Sequence, residues 1–224
     1  MANPCHAMGT SKILKRREPT ERVAFTEPAD VSRLLKAIDE YAKAPEVSIF
    51  VGAALRLHPL LFCRPGELIA MKWADVDLND KQWRYLMTKK GRPVIVPLSR
   101  QATEILRGLE QYRDGSEYVF PNRARRGRHM SNMTLNRALQ TLGIDTKEEH
   151  TSHGWRSTAR TLISEKLKRY RSEVVEFQLH HFTGDPLKYN RAQYLDERIP
   201  MMQDWSDYCD KLKVMGFDES DNDQ

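Results

Sequence analysis

Six residues spread along the chain carry the side chains needed to break a phosphodiester bond without a metal: Arg64, Lys89, His153, Arg156, His181 and Tyr189. The two arginines can clamp phosphate oxygens, because a guanidinium offers a planar fork of donors. A lysine or a histidine can protonate a leaving oxygen. A tyrosine hydroxyl can attack phosphorus and hold the cut strand covalently. Each residue also has a plainer explanation. Arg64 and Glu67, one turn apart in CRPGEL, can form an interhelical ion pair. Lys89 sits where a hairpin tip is expected, and basic tips keep strands soluble. His153 and Arg156 can be a capping histidine beside a surface arginine, and a lone tyrosine is more often packing than nucleophile.

The elements that must position these groups read as mostly helical. Pro28-Ala29-Asp30 follows Glu27 and opens a helix whose apolar stripe is Val31, Leu34, Leu35 and Ile38. A second helix is expected from Pro45 to Phe62, apolar nearly all round and therefore buried. Pro65-Gly66-Glu67 opens a third, running to Trp73. Trp83–Met87 and Val94–Leu98 read as short strands joined by the basic tip Thr88–Pro93. Ser99 caps a helix bearing Ala102, Ile105, Leu106 and Leu109. Tyr118–Pro121 is a brief extended piece, and Asn122–His129 a basic loop. Ser131 caps a helix with Leu135, Ala138, Leu139 and Leu142 in register, ended by Gly143. Further helices are expected at about 153–168, 172–181, 187–196 and 199–213. His153 and Arg156 then share one face at a helix start, where an anion is favoured. The fold class is mainly α with a small antiparallel β-sheet, an α+β domain over 23–213. A flexible linker at 1–22 precedes it and an acidic tail at 214–224 follows.

Composition narrows the partner. The net charge is +5 in 224 residues, but residues 81–130 hold twelve lysines and arginines against four acids. Such a stretch suits a polyanion, or is simply a solvated basic face. Three cysteines without CxxC or zinc spacing give neither a disulfide framework nor a metal site. The N-terminus lacks the apolar core of a signal peptide. The most apolar stretch, 48–63, is broken by Arg56, His58 and Pro59, so no membrane span is expected.

In order along the chain, CRPGEL, TKKG, HGWR, LHH and KYNR resemble the catalytic motifs of the tyrosine recombinases. The flanks MKWADVDL, RPVIVPLSRQA, YVFPN, MSNMTLNRAL, YNRAQYLDER and MMQDWSDY resemble prophage and genomic-island integrases that insert at tRNA genes. The likeness spans about residues 22–213. It departs at Trp155, where the family usually has Phe or Leu. It departs again in a shortened tract between His181 and Tyr189, which leaves His180 as an alternative to His181 and Tyr194 as a fallback nucleophile. It also implies helical DNA-binding domains ahead of residue 22, so the chain is expected to be part of a longer integrase or the product of a truncated gene.

The resemblance implies the tyrosine recombinase catalytic-domain fold and a type IB reaction. Tyr189 would form a 3′-phosphotyrosyl link and release a 5′-hydroxyl, with no cofactor, metal or ATP. Arg64 and Arg156 would hold the non-bridging oxygens, Lys89 would protonate the 5′-oxygen, His153 would serve as acid/base and His181 as a phosphate donor. Lys90, Arg92, Arg123, Arg125, Arg126 and Arg128 would track the DNA backbone. Asn132, Asn136 and Arg137 would face a groove. The implied partners are double-stranded DNA attachment sites, a homo-tetramer on DNA in the full-length protein and DNA-bending accessory proteins. The implied location is the bacterial cytoplasm, at the nucleoid. Competing classes are a DNA-binding fragment with an inactive or inhibited site, a type IB topoisomerase and a structural helical protein.

Overall fold

A computed structural model of the chain describes residues 23–87, 92–181 and 194–216, with only the backbone of Arg92. Lys89, Lys90, Tyr189, the linker 1–22 and residues 187–193 of the helix expected at 187–196 lie outside the described residues. The order is α1 (Pro28–Lys43), α2 (Ile49–Leu61), α3 (Pro65–Ile69), a 3-10 turn (Trp73–Asp75), β1 (Val76–Asp77), β2 (Gln82–Met87) and β3 (Arg92–Pro97). Then come α4 (Arg100–Glu110), α5 (Thr134–Thr141), α6 (Trp155–Lys166), α7 (Ser172–Gln178) and α8 (Leu195–Val214). The described chain is mainly helical, with one three-stranded antiparallel sheet in the order β1-β2-β3.

The apolar helix α2 is the centre. It buries Phe50, Ala54, Leu55, Leu57, Leu60 and Leu61, and α1, α4, α5 and α8 pack around it. The α1 stripe Val31, Leu34, Leu35 and Ile38 is buried as its spacing requires. At the α1–α2 crossing a Cβ on Gly52 would lie 3.0 Å from the Ala42 Cβ, so a larger residue would press the two helices apart by a few tenths of an ångström. The connection Ala44–Ser48 reverses the chain, and α2 therefore begins at Ile49 rather than Pro45.

Three other boundaries differ from those the sequence suggests. The third helix stops at Ile69 because the 117–121 segment claims the next backbone groups: Val119 N–H donates to Met71 O at 2.9 Å and Trp73 N–H to Glu117 O at 3.0 Å. The fifth helix starts at Thr134, not Ser131. The Ser131 hydroxyl accepts from Met133 N–H at 3.3 Å in a turn ahead of it. The last helix runs from Leu195 to Val214, through Pro200 and beginning ahead of the start expected at 199, with Tyr194 in the left-handed region at its N-cap (φ 47°). Pro200 removes one helical hydrogen bond near the start, and the burial of Met201, Met202, Trp205, Cys209 and Leu212 offsets that loss. Trp205 also donates its indole N–H to Pro59 O at 2.8 Å, satisfying a carbonyl at the end of α2.

Candidate active site

Two helices end here on bulky residues in the left-handed region: α2 on Phe62 (φ 36°) and α7 just before His180 (φ 56°). Glycine is usual at such positions, because a Cβ costs about 1–2 kcal/mol there. At α2 the Phe62 N–H closes back on His58 O at 2.8 Å. At α7 the chain forms a Schellman turn, with His180 N–H on Phe177 O at 2.9 Å and His181 N–H on Glu176 O at 3.0 Å. Both turns leave a carbonyl pointing at the start of α6, and Arg156 fills the space between them.

Arg156 is 4% exposed. One terminal nitrogen donates to Phe62 O at 3.3 Å, and the other donates to Leu179 O and lies 3.0 Å from His181 Nε2. Burial, and then the charge of Arg64, lower its pKa from the ordinary arginine range. Two guanidiniums thus share one place, which an anion would relieve.

Arg64 caps α3 immediately after the α2 turn. Glu67 accepts both its backbone N–H at 3.1 Å and its guanidinium at 2.9 Å, so the ion pair lies within the first turn of α3 and not between helices. The Arg64 side chain stays 37% exposed. On β2, Tyr85 stacks on Trp83 with ring centroids 4.3 Å apart. Burial and then the Glu67 carboxylate push the Tyr85 phenol up, although its hydroxyl makes no well-formed hydrogen bond.

The two adjacent histidines part company. His181 has half its side chain in solvent and sits on Arg156. His180 is buried, edge-on to Tyr85, with Nδ1 4.0 Å from Glu67. Burial, followed by the charges of Arg198, Arg156, Arg64 and His181, drops its pKa to about 3. His180 is therefore a neutral supporting ring, and His181 is the one that reaches the exterior.

His153 lies in the turn ahead of α6, two residues before its first helical residue, where the sequence places it within the helix. Its carbonyl accepts the Arg156 N–H at 3.2 Å. Gly154 is required beside it, since a Cβ there would meet Val23 O at 2.7 Å. Asn136 is not free to read a groove: its side-chain oxygen accepts Ser152 N–H at 2.8 Å and braces this same turn. Asn132 is exposed, with its oxygen 3.9 Å from where a Gly66 Cβ would be, and Arg137 is exposed on α5. Arg123, Arg125, Arg126 and Arg128 are exposed on a loop closed by Asn122, whose oxygen accepts from Ala124 and Arg125 N–H at 3.1 Å each. Tyr194 is half-buried, edge-on to Phe177 at 5.6 Å and under the Arg171 guanidinium.

Sequence reasoning missed two contributors. Glu176 accepts from His181 Nδ1 at 2.9 Å and pairs with Arg160 at 2.5 Å. Arg198, buried on α8, donates to Gln178 at 2.8 Å and to Ile95 O at 2.5 Å, tying α8 to α7 and β3. Only Arg198 carried a signal, a charged residue directly ahead of the apolar run Ile199–Met202. Among the described residues no His, Cys, Asp and Glu group could hold a metal, and no helix is long and apolar enough to cross a membrane.

The phage integrase family matches residues 24–174, which include Arg64, Lys89, His153 and Arg156. The integrase of Enterobacteria phage P4 is 34% identical over 179 residues, covering 72% of this chain and 40% of that protein. Prophage integrase IntZ of Escherichia coli (strain K12) is 33% identical over 213 residues, covering 94% of this chain and 50% of that protein. The chain thus spans half or less of the length of these curated relatives. Among solved structures, the integrase from mycobacterium phage Brujita superposes with a TM-score of 0.62 at 17% identity, over 93% of this chain and 65% of that one. A lambda integrase dimer bound to a COC′ core site gives 0.54 at 20% identity, over 81% and 65%. The structural likenesses establish the fold, and the sequence matches establish that the chain belongs to the phage integrase family, the tyrosine recombinases.

Proposed function

We propose that this chain is the strand-cutting and rejoining part of a site-specific DNA integrase. In this reading Arg64 and Arg156 hold the non-bridging oxygens of the scissile phosphate while the Tyr189 hydroxyl attacks phosphorus. The P–O bond to the 5′-oxygen breaks, Lys89 gives that oxygen a proton, and the strand stays linked as a 3′-phosphotyrosine. Attack by a 5′-hydroxyl reverses these steps, so the bond energy is conserved without ATP. His153 acts as acid/base near Tyr189, and His181 donates to the phosphate.

One observation carries the reading: a nearly buried arginine, held by two carbonyls and near enough to Arg64 to feel its charge, lies 3.0 Å from a half-exposed imidazole. Fixed donors of this kind stabilise charge that develops in a transition state, each worth about 3–4 kcal/mol. Lys90, Arg92, the four loop arginines, Asn132 and Arg137 are proposed to contact DNA. The relatives of this fold include a lambda integrase tetramer on a Holliday junction, and we extend that assembly to the full-length form of this protein.

The test uses nicked duplexes that trap a covalent adduct, carrying candidate attachment sequences from tRNA-gene ends. The wild-type chain should become attached, and Tyr189→Phe should not, with DNA affinity nearly unchanged. An adduct that persists in Tyr189→Phe but is lost in Tyr194→Phe moves the nucleophile. No adduct from the wild type on any such duplex leaves a DNA-binding fragment instead.

A further inference from the structure

The Schellman turn at the end of α7 does more than stop the helix. Such a turn folds the second residue beyond the helix back over its last turn, and an apolar contact usually fills that space. Here the two positions are His181 and Glu176, and the contact is polar: Glu176 Oε2 lies 2.9 Å from His181 Nδ1. The other ring nitrogen, Nε2, lies 3.0 Å from Arg156. Arginine has donors only, so Nε2 must offer its lone pair and Nδ1 must carry the proton. Which nitrogen of a histidine is protonated is set by the bond that the other makes. The second Glu176 oxygen is held in turn by Arg160 Nε at 2.5 Å, one turn beyond Arg156 on α6. The carboxylate is thus braced between α6 and the imidazole.

We propose that Glu176 is a positioning residue that fixes the tautomer and orientation of His181; this rests on the strand-cutting reading for its consequence. With Nδ1 already committed to Glu176, any proton that His181 takes from solvent must go to Nε2. That nitrogen faces the anion site formed with Arg156. When a phosphate enters, the imidazolium bridges it to Glu176, and the ring does not have to turn. The groups facing His181 are then Arg156 on α6, Glu176 on α7 and the neutral His180 beside it. Glu176 itself touches no substrate.

The experiment pairs long-range 1H–15N spectra of the imidazoles with adduct formation at saturating DNA, on the 224-residue chain. His181 signals are assigned by their loss in His181→Asn. The wild type should show a protonated Nδ1 and an unprotonated Nε2. Glu176→Gln keeps an oxygen acceptor and should keep that tautomer, with the rate within about threefold. Glu176→Leu should mix or reverse the tautomer and slow attachment by about tenfold or more, as loss of a carboxylate behind a functional histidine commonly does. In a His181→Asn background, Glu176→Leu should add no more than about twofold. Arg160→Gln, which removes the brace alone, should preserve the tautomer. A wild-type proton on Nε2 overturns the proposal, whether or not any variant folds. So does a Glu176→Leu protein with the wild-type tautomer and rate. Equal loss in Gln and Leu variants with an unchanged tautomer assigns Glu176 to the fold alone. Should the wild type form no adduct, the strand-cutting reading falls, and the spectra still decide the role of Glu176.

Discussion

The α6–α7 corner and the Asn122–His129 loop both present arginines, and they are built in opposite ways. At the corner a single guanidinium is almost fully buried and fixed from three sides by Phe62 O, Leu179 O and His181. Its acceptors exist because two helices end in strained left-handed turns, at Phe62 and His180. In the loop, four arginines are exposed on a backbone that Asn122 and the Pro121–His129 bridge hold, with Gly127 supplying the left-handed position at φ 73°. Of these, Arg123 reaches back over the Phe50 ring at 5.8 Å. The difference separates two tasks that one cationic surface could be thought to share. Donors that need not reorganise stabilise a transition state. Mobile exposed cations displace counterions and supply affinity.

Arg156→Ala gives the largest expected effect, because it breaks the corner twice. It removes a transition-state donor, slowing single-turnover attachment by at least about a hundredfold. It also strands two buried carbonyls, each costing about 1–3 kcal/mol, so thermal unfolding should shift downward by several degrees. Arg64→Ala should slow attachment comparably and cost less stability than Arg156→Ala: it takes the guanidinium from a Glu67 side chain that is only 8% exposed, but that carboxylate keeps the residue 64 backbone N–H. Arg156→Lys should rescue the fold only in part, because one ammonium cannot span both carbonyls. Equal stability losses in the two alanine variants would erase the distinction between a buried and an exposed arginine.

Acid should attack the same end of the molecule. Burial holds three histidines under it neutral: His58 at about 4, and His150 and His180 at about 3. Each folded pKa is depressed below the ordinary 6.5, so the unfolded chain takes up protons first. Their contribution is therefore complete above about pH 6.5 and is lost as pH falls toward 4 and 3. By pH 5 each group should cost the fold on the order of 2 kcal/mol, lowering the thermal midpoint by about 10 °C or more relative to pH 7. Circular dichroism melts across pH 7 to 5 check this, and a flat profile would show that these rings do not stay neutral in the folded chain.

How much of this was legible depended on whether a feature was local. Helix α1 could be read from Val31, Leu34, Leu35 and Ile38, and the β2–β3 pairing from two short runs around a basic tip, because each is set by its own period. Arg64, Arg156 and His181 could be named from their motifs, and the structure brings them to one place. The means of holding them could not be read. Arg156 depends on carbonyls exposed by turns at Phe62 and His180, where no glycine announces a left-handed residue. Asn136 looked outward-facing, yet it braces Ser152 sixteen residues away. Glu176 carries no local signal, because its value depends on a turn five residues later. Lys89 and Tyr189 lie outside the described residues, and their roles rest on the motifs alone.

The loop arginines give the smallest expected effect and the sharpest check on the comparison. Arg123, Arg125, Arg126 and Arg128 hang on a closed loop and are exposed, so losing one leaves the fold intact. A single Arg→Gln at a phosphate contact should flatten the slope of log affinity against log salt by about 0.9. At moderate salt that is a change of a few-fold in affinity. Once DNA is saturating, the rate of covalent attachment should not change, because the loop contributes to binding and the corner to chemistry. The measurement is a salt titration of DNA binding for each variant, beside single-turnover attachment at saturation. Arg123 should fall below the other three, since its guanidinium already lies against Phe50 and is less free to follow a phosphate. A slope unchanged in all four variants would remove the loop from the DNA path. A saturated rate that drops with Arg125→Gln as far as with Arg64→Ala would mean that the loop reaches the reacting phosphate, and that the two regions are one site.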